Sequence, residues 1–531
     1  MGRNAAGESF LRGFLEHSSS DTVWVYVEQL EHARAFNELH KQRCEGKEVK
    51  FLGPAKLGDL SIAGCLFYPG PNLKQLSLNR QPFGSTSWSL CGITHTTASQ
   101  HAMSSIVDII SSPLEAWDVL ICPSTAVKGH VEVLLEEQTK FLKDHLGVKH
   151  IGYPEMPVIP LGVHAEDFNS SAEEKSTARS RLEIKEDEIA VLYAGRLSFH
   201  AKAHPLAMYQ ALEVASRETK KKIVLIESGW HGNDHIKEAF REGAEFACPS
   251  VRVIQLDGRN PVERKHGWAS ADIFCSLADN IQETFGIVPI EAMAAGLPVV
   301  VSDWDGYRDT VREGLDGFRI PTIMPPEGLG EDLALRHALG LDSYDRYCGN
   351  TSSLVSVDID AAAAAFVQLF NSEGLRKEMG TSGRRRAERE YDWRGIIPKY
   401  EDLWARVREI RLSAARRGTD KKSSRVSDRL DPFYAFKGYP TTQLGMEQRL
   451  VLRQSDLPTA MKQLERVNTL AMVNFAAYIT PSKEESSALL RLFSDEAKTV
   501  AEVLPHFPTD KRRHMHRVLV WFLKLGILKV L

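Results

Sequence analysis

Through roughly the first 375 residues, short apolar, β-branched runs alternate with stretches whose apolar positions repeat at helical spacing. The runs TVWVYV (from Thr22), VKFLG, WSLCGIT, WDVLICPS, IAVLYAG, KIVLIES, VRVIQL, DIFCS and PVVVS have strand length and are too uniformly apolar to leave one face in water. Strands of that kind need helices on both faces, so the alternation predicts βαβ units around parallel sheets, an α/β fold. One interruption divides the series: residues 153–168, YPEMPVIPLGVHAEDF, carry three prolines that force extended backbone, and the rhythm restarts at Glu188. The break predicts two doubly wound domains, residues 1–155 and 156–375, joined by a hinge. Because open parallel sheets bind ligands beyond the carboxyl ends of their strands, two such domains face a ligand cleft.

Beyond residue 375 the pattern is purely helical, with helices expected over 372–390 and 398–412. Residues 413–442 lie in a polar, basic stretch that starts near Arg411, has no apolar periodicity and reads as a linker. From Gln443 to Leu531, spacing near i, i+3, i+4 predicts a small, mainly helical or winged-helix domain. Its terminal run KRRHMHRVLVWFLKLGILKVL reads as a helix followed by a strand, with contact to a membrane surface as the alternative; nucleic acid is not an expected partner.

Composition narrows the classes. The chain has 531 residues, 43% hydrophobic and 26% charged, which excludes disorder, collagen and coiled coil as whole-chain descriptions. A formal net charge of −4 gives no global attraction to nucleic acid or anionic membranes. Seven scattered cysteines, none in a CxxC pair, read as reduced thiols of a cytoplasmic protein. No secretory h-region and no run of about 18 apolar residues occurs, so neither export nor a membrane span is expected.

The chemistry concentrates in residues 280–308, NIQETFGIVPIEAMAAGLPVVVSDWDGYR. A helix is expected to start near Gly286, since Thr284 can cap it and Pro289 is tolerated only in a first turn. Its free N–H groups make the loop at Thr284, Phe285, Gly286 and Ile287 an anion site, with Glu283 at its mouth and Glu291 farther along. A carboxylate beside a phosphate repels it unless it is bonded to hydroxyl groups, so the pair fits a sugar nucleotide. Upstream, an apolar strand ends in Gly195, Arg196 and, after SFHA, Lys202, two cations placed to neutralise a diphosphate.

These segments resemble the GT-B retaining glycosyltransferases of family 4 (glycosyl transferases group 1), whose hallmark is two glutamates separated by seven residues, here Glu283-TFGIVPI-Glu291. VIPLGVHAEDF is similar to the family's interdomain segment, with Leu161 and His164 replacing Asn and Asp, and GITHTT to its N-domain strand end. The resemblance implies two Rossmann-like domains and residues 376–412 crossing back to the first. It implies a reaction that retains configuration, uses no metal or cofactor, and moves a sugar from a UDP- or GDP-linked donor to an unknown acceptor. It assigns the diphosphate to Arg196 and Lys202, the ribose to Glu291, and the donor sugar to Glu283 and His95. Gly258 and Arg259 fall at the turn lining the base pocket. The family opens with a strand and a Gly-rich phosphate loop; here Met1 directly precedes GRNAAGES, whose Gly2 and Gly7 are the candidate loop.

Other motifs take simpler readings. Asp303-Trp304-Asp305 spells the metal signature of a different glycosyltransferase fold, but at a strand end it reads as a turn and helix cap. The pairs His95/His101, His231/His235 and His514/His516 lack a third ligand, so no metal is expected. A phosphorylase, a nucleotide-sugar epimerase and a non-catalytic GT-B scaffold are the rival functions. Oligomeric state is not legible.

Overall fold

In the computed structural model, which describes residues 2–43, 46–149, 151–423, 426, 429–476 and 478–531, all nine apolar runs form strands. The chain divides into two units, Met1–Ser427 and Asp428–Leu531, the boundary falling inside the expected linker.

In the first unit, β1 (Thr22–Tyr26) and β2 (Glu48–Leu52) pair in parallel, and β3 (Cys65–Tyr68), β4 (Ser89–Ile93) and β5 (Val119–Ile121) form a separate parallel sheet in that order. The second half contains β6 (Glu188–Leu197), β7 (Lys222–His231), β8 (Arg252–Asp257), β9 (Ile273–Ser276), β10 (Val299–Ser302) and β11 (Gly317–Ile320). They make one parallel sheet of order β11-β10-β9-β6-β7-β8. The two parallel-sheet halves face a cleft. The uniform apolarity of these strands follows from the pleat, which sends alternate residues to opposite covered faces. Val191, Leu225, Cys275 and Val300 pack on one side, and Leu192, Ile226, Phe274 and Val301 on the other. Strand order reverses between β6 and β9, so the crevice for a ligand opens where their carboxyl ends diverge.

The proline-rich segment is extended, as its prolines require, and is hydrogen-bonded along its length. Leu120 donates to the Glu155 carbonyl and Ile159 to that of Cys122, each at 3.0 Å; Val163 donates to Tyr391 at 2.8 Å and Trp393 to Val163 at 3.1 Å. The Trp393–Arg416 helix then lays Trp393, Ile396, Tyr400 and Val407 against Cys91, Ile93, Val119 and Ile121 of the N-terminal sheet, completing the crossing back.

The candidate phosphate loop is corrected. Gly2 and Gly7 lie on a helix, Gly2–His17, not in a loop. A side chain at Gly7 would meet nothing within 4 Å, so no close approach requires glycine there. The helix is favoured because Phe10, Phe14 and neighbouring apolar residues fall on one face and pack on Phe67, Trp393, Tyr400 and Trp404. At Gly13, by contrast, a Cβ would lie 2.5 Å from the Trp393 ring.

The second unit is a three-stranded antiparallel sheet, ordered Lys498–Thr499, Arg449–Leu452, Leu528–Val530, packed with helices. Met515, Val518, Leu519 and Phe522 of the Thr509–Lys524 helix are buried in its core. The terminal run is therefore a core helix followed by a strand. No described helix is long and apolar enough to cross a membrane. Among the described residues, Cys65, Cys91, Cys122, Cys248, Cys275 and Cys348 are free; Cys44 lies outside them.

Candidate functional site

A cleft of about 1120 Å³ opens at the reversal of strand order, walled by Ala6, Ser9, His95, Thr96 and Pro123 on one side and by the loops after β6, β7 and β9 on the other. Its geometry starts with three glycines at adjacent strand ends. A Cβ on Gly229 would come within 1.9 Å of the Gly195 carbonyl oxygen, and one on Gly258 within 3.0 Å of the Gly229 Cα. Gly195 has φ of 144°, a conformation that side chains rarely adopt. Only glycines allow β6, β7 and β8 to end this close together.

Arg196 follows Gly195 into the cleft, where one terminal nitrogen donates to the Ala201 carbonyl at 2.7 Å and to the Gln282 side-chain oxygen at 2.9 Å. The SFHA spacer is a turn: the Lys202 amide donates to the Ser198 carbonyl at 3.0 Å, and Asn280 Nδ2 donates to the His200 carbonyl at 3.0 Å. The turn brings Lys202 Nζ onto Glu283 Oε2 as an ion pair. Glu283 Oε1 accepts from the amides of Gly286 at 3.1 Å and Thr284 at 3.3 Å. Burial raises this carboxyl, but Lys202 and the two amides outweigh it and hold Glu283 below its ordinary range.

The helix expected to start near Gly286 runs Ile287–Ala294 with Pro289 in its first turn, but its cap differs. Gly286, at φ of 79°, is the N-cap and supplies no side chain; Glu283 takes the Gly286 amide, and Thr284 instead offers its carbonyl to Ser124 Oγ at 2.8 Å. Glycine is required because a Cβ at 286 would sit 1.9 Å from the Tyr307 ring. Glu291 lines the same wall, half-buried, with no hydrogen bond or ion pair to a described residue. Burial pushes its carboxyl up to about 7, only partly opposed by Arg264 and Lys202.

Gly195, Arg196, Lys202, Glu283, Thr284, Phe285, Gly286, Ile287, Glu291 and His95 all line one cleft. Gly258 and Arg259 do not. Gly258 closes the strand ends, and Arg259 is held outside the cleft by Asp257, at 2.9 and 2.8 Å. Pro261, Arg264, Lys265 and Trp268 of the next helix take the place assigned to Arg259, with Trp230 from the end of β7. Their signal was present in the sequence, since a Pro-initiated helix starting four residues past a strand end turns its first face to that strand's carboxyl edge.

The segment Asp303-Trp304-Asp305 is a turn into the short Tyr307–Thr310 helix, whose N-cap Gly306 makes no side-chain cap. Trp304 Nε1 donates to the Asn280 carbonyl at 3.1 Å. Asp305 adopts φ of 45°, and burial, with Glu283 nearby, pushes its carboxyl up to about 8. A second polar group, Glu16, His164 and Glu166, brings possible ligand atoms within 4.8 Å of one another, but Arg12 binds Glu16 at 3.1 Å and Glu166 at 3.4 Å. It is an ion-pair network that pins the first helix beside the cleft.

Residues 174–334 match the model of the family described as Glycosyl transferases group 1. An uncharacterized glycosyltransferase of Methanocaldococcus jannaschii is 32% identical over 158 residues, which cover 29% of this chain and 37% of that protein. The lipopolysaccharide 1,2-N-acetylglucosaminetransferase of Salmonella typhimurium is 24% identical over 178 residues, 33% of this chain and 46% of the relative. The aligned part thus spans less than half of each relative. The crystal structure of Anabaena HepE in complex with UDP and glucose superposes with a TM-score of 0.48 at 13% identity, covering 76% of this chain and 96% of that one. The wall of the cleft formed by the loops after β6, β7 and β9 lies within the segment that matches this family.

Proposed function

We propose that the protein moves a sugar from a nucleoside-diphosphate sugar, UDP- or GDP-linked, to an acceptor with retention of configuration and without a metal. One observation carries this reading: Arg196, Lys202 and the N-terminus of the Ile287–Ala294 helix converge on one cleft with the two carboxylates of Glu283 and Glu291. Cations and helix amides together stabilise a diphosphate, whereas carboxylates at its two ends suit only hydroxyl-bearing neighbours. Without ligand, Lys202 and Glu283 neutralise each other. A donor would divide them, giving Lys202 a phosphate oxygen and Glu283 a sugar hydroxyl.

In that geometry the bond from the anomeric carbon to the phosphate oxygen breaks while the acceptor oxygen bonds the same face of that carbon. The acceptor's proton passes to the departing phosphate oxygen. Arg196 and Lys202 stabilise the charge that develops there, so no protein nucleophile is needed. The relatives that match the segment lining this wall, such as those of Methanocaldococcus jannaschii and Salmonella typhimurium, are named as sugar transferases, which supports the reaction class.

Titration calorimetry of UDP, GDP, ADP and dTDP against the full chain and against Glu291→Ala tests the reading. One nucleotide should bind near micromolar Kd, about −8 kcal/mol, and more weakly to the variant. Binding by none would overturn it and leave a scaffold. A requirement for free phosphate, or product formed without an acceptor, would point to a phosphorylase or an epimerase.

A further inference from the structure

Between β11 and the Ile359–Asn371 helix the chain makes an excursion through the helices Glu331–Ala338 and Tyr344–Ser352. It is closed at its base by Thr322–Ile323 pairing antiparallel with Ser356–Val357. Nothing in this stretch belongs to the diphosphate site itself, yet Tyr344 lines the cleft. Its hydroxyl lies 3.1 Å from Thr96 Oγ1 on the N-terminal wall and 3.0 Å from Gln282 Nε2 on the donor wall.

The chemistry of the donors fixes the direction of this chain from Arg196 as far as Tyr344. A guanidinium can only donate, so the Gln282 atom that meets Arg196 at 2.9 Å is the amide oxygen and the other is its NH₂. The amide NH₂ then donates to the Tyr344 oxygen, and between Tyr344 and Thr96 either hydroxyl can be the donor. Arg196, Gln282, Tyr344 and Thr96 form a hydrogen-bonded relay that spans the cleft. Arg196 spends one terminal nitrogen on Ala201 and Gln282; its Nε and other terminal nitrogen have no partner among the described residues. The same helix rests on the spacer that joins Arg196 to Lys202, since a Cβ on Gly349 would lie 3.0 Å from that of His200.

We propose that Tyr344 is a positioning residue: it fixes Arg196 through Gln282 only when Thr96 has closed onto it, so that orientation of the phosphate-binding guanidinium is coupled to closure of the N-terminal wall. This rests on the reading of the cleft as a diphosphate site. The Tyr344→Phe variant keeps the ring and its packing and removes both hydrogen bonds; Thr96→Val removes only the far one.

Calorimetry with UDP and GDP on the full chain tests the coupling. Both single variants should bind the preferred nucleotide about three- to ten-fold more weakly, the loss of one or two net hydrogen bonds, with unchanged melting temperature. The double variant should bind no more weakly than the weaker single. Failure of the unsubstituted chain to bind any nucleotide would remove the site reading itself. Normal binding by that chain with Tyr344→Phe within two-fold of it would overturn the relay alone. So would losses that multiply in the double variant, because two independent contacts rather than one chain would then be at work.

Discussion

The donor wall, within residues 188–320, meets the cleft with four cations, two carboxylates and a helix N-terminus, whereas the N-terminal wall offers Ala6, Ser9, His95, Thr96 and Pro123. The N-terminal wall makes its bonds to the other half instead: Ser124 donates to the Thr284 carbonyl, the Thr125 amide to Asp309 at 2.6 Å, and Thr96 meets Tyr344. The contrast separates two tasks. On the function proposed above, the charged wall would carry affinity for a nucleotide, and the other would close over it and set how the charged groups are aimed. Changes to the donor wall should therefore act on chemistry by large factors, and changes to the N-terminal wall by small ones.

The largest effect is expected from Glu283→Ala, which removes the partner of Lys202 and the acceptor of two loop amides. Turnover, followed as nucleotide release from the donor that calorimetry identifies, should fall about 10²-fold or more, with the circular dichroism spectrum unchanged. Unchanged turnover would show that the donor wall does not carry the reaction. Next comes Gly286→Ala, which sets a methyl group against the Tyr307 ring at a backbone angle that disfavours side chains. It should lower stability to denaturant by about 2–3 kcal/mol. A neutral result would mean that the loop rebuilds freely and does not hold its amides in place.

Why the donor wall was legible and the N-terminal wall was not follows from where each signal lies along the chain. Glu283 and Glu291 share one loop and helix, and Arg196 and Lys202 share one turn, so short sequence spacing already encodes their spacing in the cleft. Tyr344 and Gln282 are brought together by an excursion with no periodicity of its own, and Thr96 by the crossing of the Trp393–Arg416 helix. Strand β11, GFRI, is hard to read because it is short and starts with a glycine, and β3, CLFY, because four residues are too few to show a period even though Gly64 and Pro69 bound it. Arg259 misled for a local reason: Asp257, two residues back, captures it before it can turn inward.

A smaller effect sharpens the contrast from within the donor wall. The Glu291 carboxyl titrates near 4.5 when unfolded and about 7 when folded. Folding thus favours its protonated form, and the native state loses stability as pH rises from about 4.5 through 7. Glu291→Gln removes that cost and should stabilise the protein at pH 8 by about 1–2 kcal/mol, discounted because the group is only half-buried, with no gain at pH 4. It should also bind nucleotide more weakly. Higher stability with lower affinity is what a carboxylate kept for a ligand produces; a variant less stable at pH 8 would show that Glu291 has a structural partner after all.

The smallest effect belongs to the seam between the walls. Asp309 accepts the Thr125 amide at the N-terminus of the 22-residue Thr125–Leu146 helix, where a negative charge meets free N–H groups and the positive end of the helix dipole. Asp309→Asn keeps an acceptor and removes the charge, so closure should weaken by only about 0.5–1 kcal/mol. The measurement is nucleotide affinity against salt: the unsubstituted chain should lose more affinity than the variant as ionic strength rises, and the two curves should converge at high salt. Equal curves at every salt concentration would mean that this seam stays shut whether or not a nucleotide is bound. Control of closure would then rest with the other bonds across the seam, Ser124 to the Thr284 carbonyl and Thr96 to Tyr344, the second of which joins the N-terminal wall to Arg196.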